Sequence, residues 1–234
     1  MNILALDTVT DACSVAVLKD QKKFGRRVIV PQAHTQIILD LCDEILQESG
    51  LTKDQLDLIV CGRGPGSFTG VRIGIAVAQG LAFGLGLKAL GVSNLQTIAQ
   101  SVISGDSTVQ RIFVANDARM GEVYYCAYEN ANGIAGPLMD EQVGSPESAE
   151  EKFREIGGLE NAVLAGTGFE VYEPLKKTIS CARKFAEDHF PDSLFMLDLA
   201  KDTLNSAVEP ENLTPVYLRD KVTWKKVSEQ GKKA

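Results

Sequence analysis

Histidine is nearly absent from this sequence, and the two that occur, His34 and His189, lie far apart. There is no His-x-x-x-His pair, so a metal centre in which two imidazoles share one helix face is not expected. The five cysteines, Cys13, Cys42, Cys61, Cys126 and Cys181, are odd in number, widely spaced and free of any Cys-x-x-Cys. That spacing argues against a zinc ribbon or a disulfide framework and suits small apolar side chains in a reducing compartment. Positive charge is short as well, the net charge being −7. A chain that grips nucleic acid by itself is therefore not expected, because neutralising phosphates supplies most of that affinity. Long apolar runs are also missing: the most apolar stretch, Ile73 to Leu87, contains Gln79 and four glycines and is too short for a bilayer. The N-terminus enters a strand without a basic lead or a cleavable apolar segment, so no signal peptide and a cytoplasmic location are expected.

Glycine, by contrast, is concentrated in one place. The block Gly62-Arg-Gly-Pro-Gly-Ser-Phe-Thr-Gly-Val-Arg-Ile-Gly74 holds five glycines and a proline in thirteen residues, ahead of an apolar segment from Ile75 to Phe83. Such a run reads as a tight, backbone-exposing loop feeding the start of a helix. Its spacing fits neither familiar phosphate loop. No Lys-Ser/Thr follows a Gly-x-x-x-x-Gly, and there is no Gly-x-Gly-x-x-Gly.

With 234 residues, 44% hydrophobic and 24% charged, the chain is an ordinary globular protein of one large domain or two small ones. Strands are expected near 2–8, 12–19 and 23–30, with turns at Thr10-Asp11 and Lys19-Asp20-Gln21. From His34 to Glu48, Ile37, Ile38, Leu41, Cys42, Ile45 and Leu46 recur at helical spacing, and Gly50 marks the stop. A strand over Leu56–Cys61, a helix near 68–84, a strand over Lys88–Val92 and a helix capped by Ser93 follow. The polar stretch Ser104-Gly-Asp-Ser-Thr108 divides the chain into lobes 1–104 and 105–234. The same order then recurs more loosely: strands over Arg111–Asn116, Glu122–Tyr128 and Pro137–Val143, a helix over Pro146–Ile156, a strand over Ala162–Ala165 and a helix over Asp192–Ser206. Two βββαβαβα halves point to an α/β chain with a duplicated ribonuclease-H-like fold. Actin, sugar kinases and the Hsp70 ATPase domain share that architecture. The second lobe, short and loop-rich, is expected to be reduced.

Three residue groups carry candidate chemistry. Asp7 ends the first strand, where ATP-using members of this fold place an Asp before a glycine-bearing turn. The turn here, Thr8-Val-Thr-Asp-Ala12, has no glycine, which obstructs close approach of a phosphate. Asp7 and Thr8 thus read as turn-forming groups, with a residual nucleotide pocket of Asp7, Thr8, Arg63 and Gly64 left as the alternative. Ser67 is the tempting nucleophile of the glycine block, but it or Thr69 is more simply a helix cap. The following helix carries small residues four apart at Gly70, Gly74, Ala78 and Ala82, with Ala76, Gly80 and Gly84 alongside. Glycine costs a helix up to about 1 kcal/mol against alanine, so close packing must compensate, either within the chain or at a subunit interface.

The opening Ile3-Leu-Ala-Leu-Asp7-Thr-Val-Thr-Asp-Ala-Cys-Ser-Val-Ala-Val17, the glycine block and Asp117-Ala-Arg-Met-Gly-Glu-Val-Tyr124 together resemble the bacterial TsaB (YeaZ) family. Members are required for threonylcarbamoyladenosine (t6A) formation in tRNA. The resemblance runs from Met1 to Trp224-Lys-Lys226 and implies the same duplicated fold.

It implies a non-catalytic scaffold that pairs with itself when alone, or with the paralogue TsaD, and works with the ATPase TsaE. Together these would transfer threonylcarbamoyl from its adenylate to N6 of the adenosine 3′ to the anticodon. TsaD binds a metal through His-x-x-x-His, and the corresponding place here reads Asn94-Leu-Gln-Thr-Ile98. No intrinsic cofactor is therefore expected; ATP and metal belong on the partner subunits, and no membrane is implied. The partner or dimer interface is expected at Ile37, Ile38, Leu41, Ile45, Gly70, Arg72, Ile73, Gly74 and Val77. Arg119 and Glu122 are expected to pair across a turn. The segment from Arg219 carries six Lys/Arg against Asp220 and Glu229, or +4. Arg219, Lys221, Lys225 and Lys226 are candidate tRNA contacts within an assembled complex, although tRNA is reached only indirectly. The rival readings are an ATP-dependent kinase or phosphohydrolase of this fold and a glycoprotease-like hydrolase.

Overall fold

Strands β1 (Ile3–Asp7), β2 (Ala12–Lys19) and β3 (Lys22–Ile29) form an antiparallel meander in the computed structural model, which describes residues 1–186 and 188–219. β1 and β2 are buried along nearly their whole length, which is why they read as continuous apolar runs. β3 is the sheet edge, and Lys22, Lys23, Arg26 and Arg27 keep it from pairing further. Helix α1 (His34–Ser49) follows and stops at Gly50, which is left-handed at φ 66°. β4 (Leu58–Gly62) joins parallel to β1, α2 (Phe68–Leu85) crosses over, and β5 (Lys88–Val92) joins parallel to β4. The order is β3-β2-β1-β4-β5.

The second half repeats this plan. After α3 (Asn94–Gly105), β6 (Arg111–Asp117), β7 (Val123–Ala131) and β8 (Ile134–Pro137) form another meander, and β9 (Gln142–Gly144) also pairs with β7. Helix α4 (Pro146–Ile156) leads to β10 (Val163–Ala165), parallel to β6. Two short helices, α5 (Gly168–Val171) and α6 (Glu173–Ile179), lead to β11 (Lys184–Phe185), parallel to β10. The order β11-β10-β6-β7-β8 is that of the first sheet with each strand replaced by its counterpart. Two copies of one order, each with three antiparallel and two parallel strands, make this a duplicated ribonuclease-H-like α/β fold. The second copy is reduced, since its two parallel strands shrink to three and two residues.

Two departures from the sequence reading have physical causes. Pro137–Val143 is not one strand: Pro137 has no N–H to continue a ladder and closes β8, and the chain re-enters the sheet at Gln142 as β9. The pieces α5, α6 and β11 were not anticipated, because elements of two to seven residues leave too little periodicity to read.

The helices between and after the sheets are exchanged. α3 follows β5 in sequence, yet Leu95, Ile98, Ala99 and Ile103 pack with Ile112, Val114 and Tyr128 of the second sheet. α7 (Ser193–Asp202) comes last and packs Met196, Leu197, Leu199 and Ala200 on Ile3, Ala16, Leu58 and Val60 of the first sheet. Met196, Leu197 and Leu199 are at most 2% exposed, so each contributes about 1.5–3 kcal/mol of burial. The start of α7 is pinned by Ser193 N donating to Ser14 Oγ at 2.9 Å and Ser193 Oγ donating to Ser14 O at 2.9 Å. Neither sheet has both faces covered without a helix that lies, in sequence, beside the other.

Candidate functional site

The end of β1, the glycine block and the start of α3 meet at Asp7. Its carboxyl is 1% exposed. Oδ2 accepts from Asn94 Nδ2 at 2.5 Å, and Oδ1 accepts from Val9 N at 3.2 Å. Burial raises Asp7 to about 7 despite these two hydrogen bonds, which act the other way. Asn94 also accepts at Oδ1 from Gly64 N at 2.8 Å, and its own N donates to Gly64 O at 3.1 Å. No side chain fits at position 62, where a Cβ would lie 2.0 Å from Asp7 Oδ2.

The expected residual nucleotide pocket therefore needs correction. Asp7 and Thr8 are buried, Gly64 is buried, and their polar atoms are spent inside the chain. Thr8 Oγ1 donates to Gly70 O at 2.7 Å. Arg63 alone is half-buried, and its Nη2 lies 3.6 Å from Glu141 Oε2 in the second half. Glu141 also accepts from Ser93 Oγ and, at 3.4 Å, from Tyr128 OH. Glu141 thereby joins the glycine block and the start of α3 to β7 of the second half.

Sequence reasoning passed over Asn94 except as a residue that is not histidine. It stands where the resemblance puts the first metal-binding imidazole and is instead a brace between Asp7 and Gly64. The legible signal was its place as the first residue of α3, directly after the Ser93 cap, whose Oγ accepts from Gln96 N at 3.1 Å. Among the described residues, no three His, Cys, Asp or Glu side chains cluster as metal ligands would. Ser67 caps α2 by accepting from Gly70 N at 3.3 Å. His189 is engaged elsewhere, accepting at Nδ1 from Gly166 N at 3.3 Å.

The expected interface list divides in two. Ile38, Leu41 and Ile45 are interior, at 1%, 7% and 0% exposure, because α1 turns that stripe onto the first sheet. The outward side of α1 is largely acidic and polar, with Asp40, Asp43, Glu44, Gln47 and Glu48, and Leu39 is the apolar exception, 53% exposed. Gly70 and Gly74 are interior too. A Cβ at Gly70 would lie 2.2 Å from Thr8 O, and one at Gly74 would lie 2.9 Å from Thr8 Oγ1. The stripe Gly70-Gly74-Ala78-Ala82 thus serves packing within the chain, and these five positions are corrected from interface to core.

The rest of the list stays at the surface. Arg72 is exposed, and Ile37, Ile73 and Val77 are half-buried. A shallow groove of about 420 Å³ is lined by Thr35, Phe68, Thr69, Arg72, Ile73, Ala76 and Val77. Phe68, Arg72, Ala76, Gly80, Phe83 and Gly84 continue along the outward side of α2, with Phe68 56% and Phe83 79% exposed. Arg72 is the only charge in the eighteen residues of α2. By length and composition α2 could cross a membrane, yet Gly70, Gly74, Ala78 and Ala82 fix one side of it within the fold. Phe68 and Phe83 were missed as surface anchors, although they fall on the face marked by Arg72, Ala76 and Gly80.

The basic segment is corrected in part. Arg219 is bound within the chain: its Nη2 donates to a carboxylate oxygen of Glu122 and to Ala118 O at 3.2 Å. Glu122 therefore pairs with Arg219 rather than Arg119, and Arg119 lies 3.3 Å from Asp117. Lys221, Lys225 and Lys226 lie outside the described residues.

A family model described as "TsaD: tRNA N6-adenosine threonylcarbamoyltransferase" matches residues 19–221. The chain is 40% identical to the tRNA threonylcarbamoyladenosine biosynthesis protein TsaB of Escherichia coli strain K12, over 97% of this chain and 98% of that protein. It is 27% identical to the protein of the same name from Bacillus subtilis strain 168, over 94% of each. YeaZ from Pseudomonas aeruginosa superposes with a TM-score of 0.81 at 34% identity, covering 92% of this chain and all of that one. Sequence along nearly the full length and fold agree: the chain belongs to this threonylcarbamoyltransferase family and, within it, to the TsaB (YeaZ) proteins.

Proposed function

We propose that this chain is an accessory subunit of the t6A machinery that acts through the outward face of α2 rather than through an active site of its own. Its partner is the paralogous transferase TsaD, which carries metal and substrate; TsaE supplies ATPase activity, and tRNA is reached through the complex in the cytoplasm. Alone, the chain pairs with a second copy through the same face. The observation that carries this reading is the contrast between two places. Asp7 and Thr8 are buried with their side chains hydrogen-bonded within the chain, whereas α2 offers an apolar face with one charge and two exposed phenylalanines. Exposed apolar area of this kind marks a site of protein association. Such a subunit raises the partner's activity by binding its competent conformation preferentially, without touching reacting atoms. The division into lobes 1–104 and 105–234, each covered by a helix from the other, belongs to the same reading and gives the scaffold its rigidity.

Reconstitution tests it. With tRNA, threonylcarbamoyl-adenylate, TsaD and TsaE, modification is expected to require this chain, and the chain alone is expected to give none. Modification by the chain alone would overturn the reading. The rival kinase or hydrolase needs substrate beside Asp7, so tight ATP–magnesium binding by the isolated chain in calorimetry would favour it instead.

A further inference from the structure

The segment Leu213–Arg219 touches the glycine block, the α2 helix that it leads into, and the β6–β7 turn of the second half. Leu213 is buried in the α1–α2 core, and its carbonyl accepts from Gln79 Nε2 at 3.0 Å. Val216 N donates to Arg63 O, in the glycine block, at 2.8 Å. Tyr217 OH accepts from Arg72 Nε at 2.8 Å. The Arg72 guanidinium lies 3.6 Å from the Phe68 ring centre and 5.6 Å from that of Tyr217. Arg219 then crosses to the second half and binds Glu122 and Ala118 O in the β6–β7 turn. The one charge on the α2 face is therefore stacked and hydrogen-bonded in place. An unrestrained arginine would have to be ordered on binding, at an entropic cost that this contact removes in advance.

We propose that Leu213–Arg219 is a clasp that presets the α2 face for its partner. Tyr217 is the positioning residue for Arg72, and Arg219 is the anchor that holds the clasp shut. The proposal rests on α2 being the partner face. Clasp closure and partner binding are then coupled, and the coupling is reciprocal. Opening the clasp weakens binding, and binding protects the Val216 amide. Arg219 transmits this effect without lining the groove, which separates it from an ordinary contact residue.

The experiment uses the full chain and measures TsaD binding by titration calorimetry for wild type, Tyr217→Ala, Tyr217→Phe, Arg219→Ala and Ile73→Glu. Circular dichroism and Tm confirm that each is folded, and hydrogen exchange at Val216 is followed in the wild type with and without partner. Tyr217→Ala and Arg219→Ala are expected to weaken binding about fivefold or more. Tyr217→Phe should recover part of the loss by keeping the ring over Arg72. Exchange at Val216 is expected to slow on binding. If Ile73→Glu abolishes binding while both clasp variants bind like wild type and Val216 exchange is unchanged, the clasp is overturned and the face stands. Wild-type binding by Ile73→Glu overturns both.

Discussion

Asn94 donates to the Asp7 carboxylate at 2.5 Å and, through its other side-chain atom, accepts from Gly64 N at 2.8 Å. One amide thereby ties the end of β1, the glycine block and the start of α3 into a closed unit. A ligand entering beside Asp7 has to displace these bonds. The brace makes this corner of the fold a structural joint.

Asp7 gives the joint a pH dependence. Its folded value of about 7 stands above its ordinary 3.8, chiefly through burial, with the nearby charge of Asp192 adding a smaller push upward. Below about pH 4 the group is protonated in both states and its contribution to stability is complete. As pH rises toward 7, the unfolded chain ionises first, and on the order of 4 kcal/mol is lost before the profile flattens. Denaturant titrations between pH 4 and 8 are expected to show this decline in wild type and its absence in Asp7→Asn. A similar slope in both would place the titration elsewhere.

Asn94→Ala leaves the Asp7 oxygen and Gly64 N without side-chain partners in a buried site. Losing them is expected to cost about 2–4 kcal/mol, read as a lower urea midpoint with an unchanged slope. A loss below about 0.5 kcal/mol, the range of ordinary surface substitutions, would show that the brace is dispensable.

The glycines of α2 separate packing from docking. Gly70→Ala drives a methyl to 2.2 Å from Thr8 O, a backbone atom that cannot turn aside. It is expected to destabilise the fold by about 1–3 kcal/mol. Gly80 has nothing within 4 Å of its Cβ position, so Gly80→Ala is expected to stabilise the isolated chain by up to about 1 kcal/mol. Thermal melts of the two variants should move in opposite directions.

Much of this was legible beforehand because it rests on long elements with clear periodicity. The three opening strands, α1, α2 and the glycine stop at Gly50 follow directly from residue pattern, and the halves' parallel order gave the duplicated fold. What was not legible depends on which way a helix turns. Ile38, Leu41 and Ile45 share helical spacing with Ile37, yet only the sheet beneath α1 decides which stripe is buried. Gly70 and Gly80 are the same residue type on one helix, and only the Thr8 backbone tells them apart. The Asn94 brace and the Arg219–Glu122 pair join residues 87 and 97 positions apart. No local pattern announces such contacts.

The same helix-face distinction predicts different phenotypes for neighbouring apolar residues. Ile45→Ala empties a fully buried site and is expected to cost about 2–5 kcal/mol of stability. Val77→Glu, on the half-buried rim of the groove, is expected to leave Tm within a few degrees while abolishing self-association in analytical ultracentrifugation. Intact self-association in Val77→Glu would remove the groove from the interface.

Reconstituted t6A synthesis with TsaD, TsaE and either Ile73→Glu or Asp7→Asn separates surface from chemistry most directly. A subunit that acts through α2 loses its stimulation with Ile73→Glu and keeps it with Asp7→Asn. The reverse pattern, full stimulation with Ile73→Glu and none with a folded Asp7→Asn, would contradict a docking role and point to chemistry at the buried aspartate.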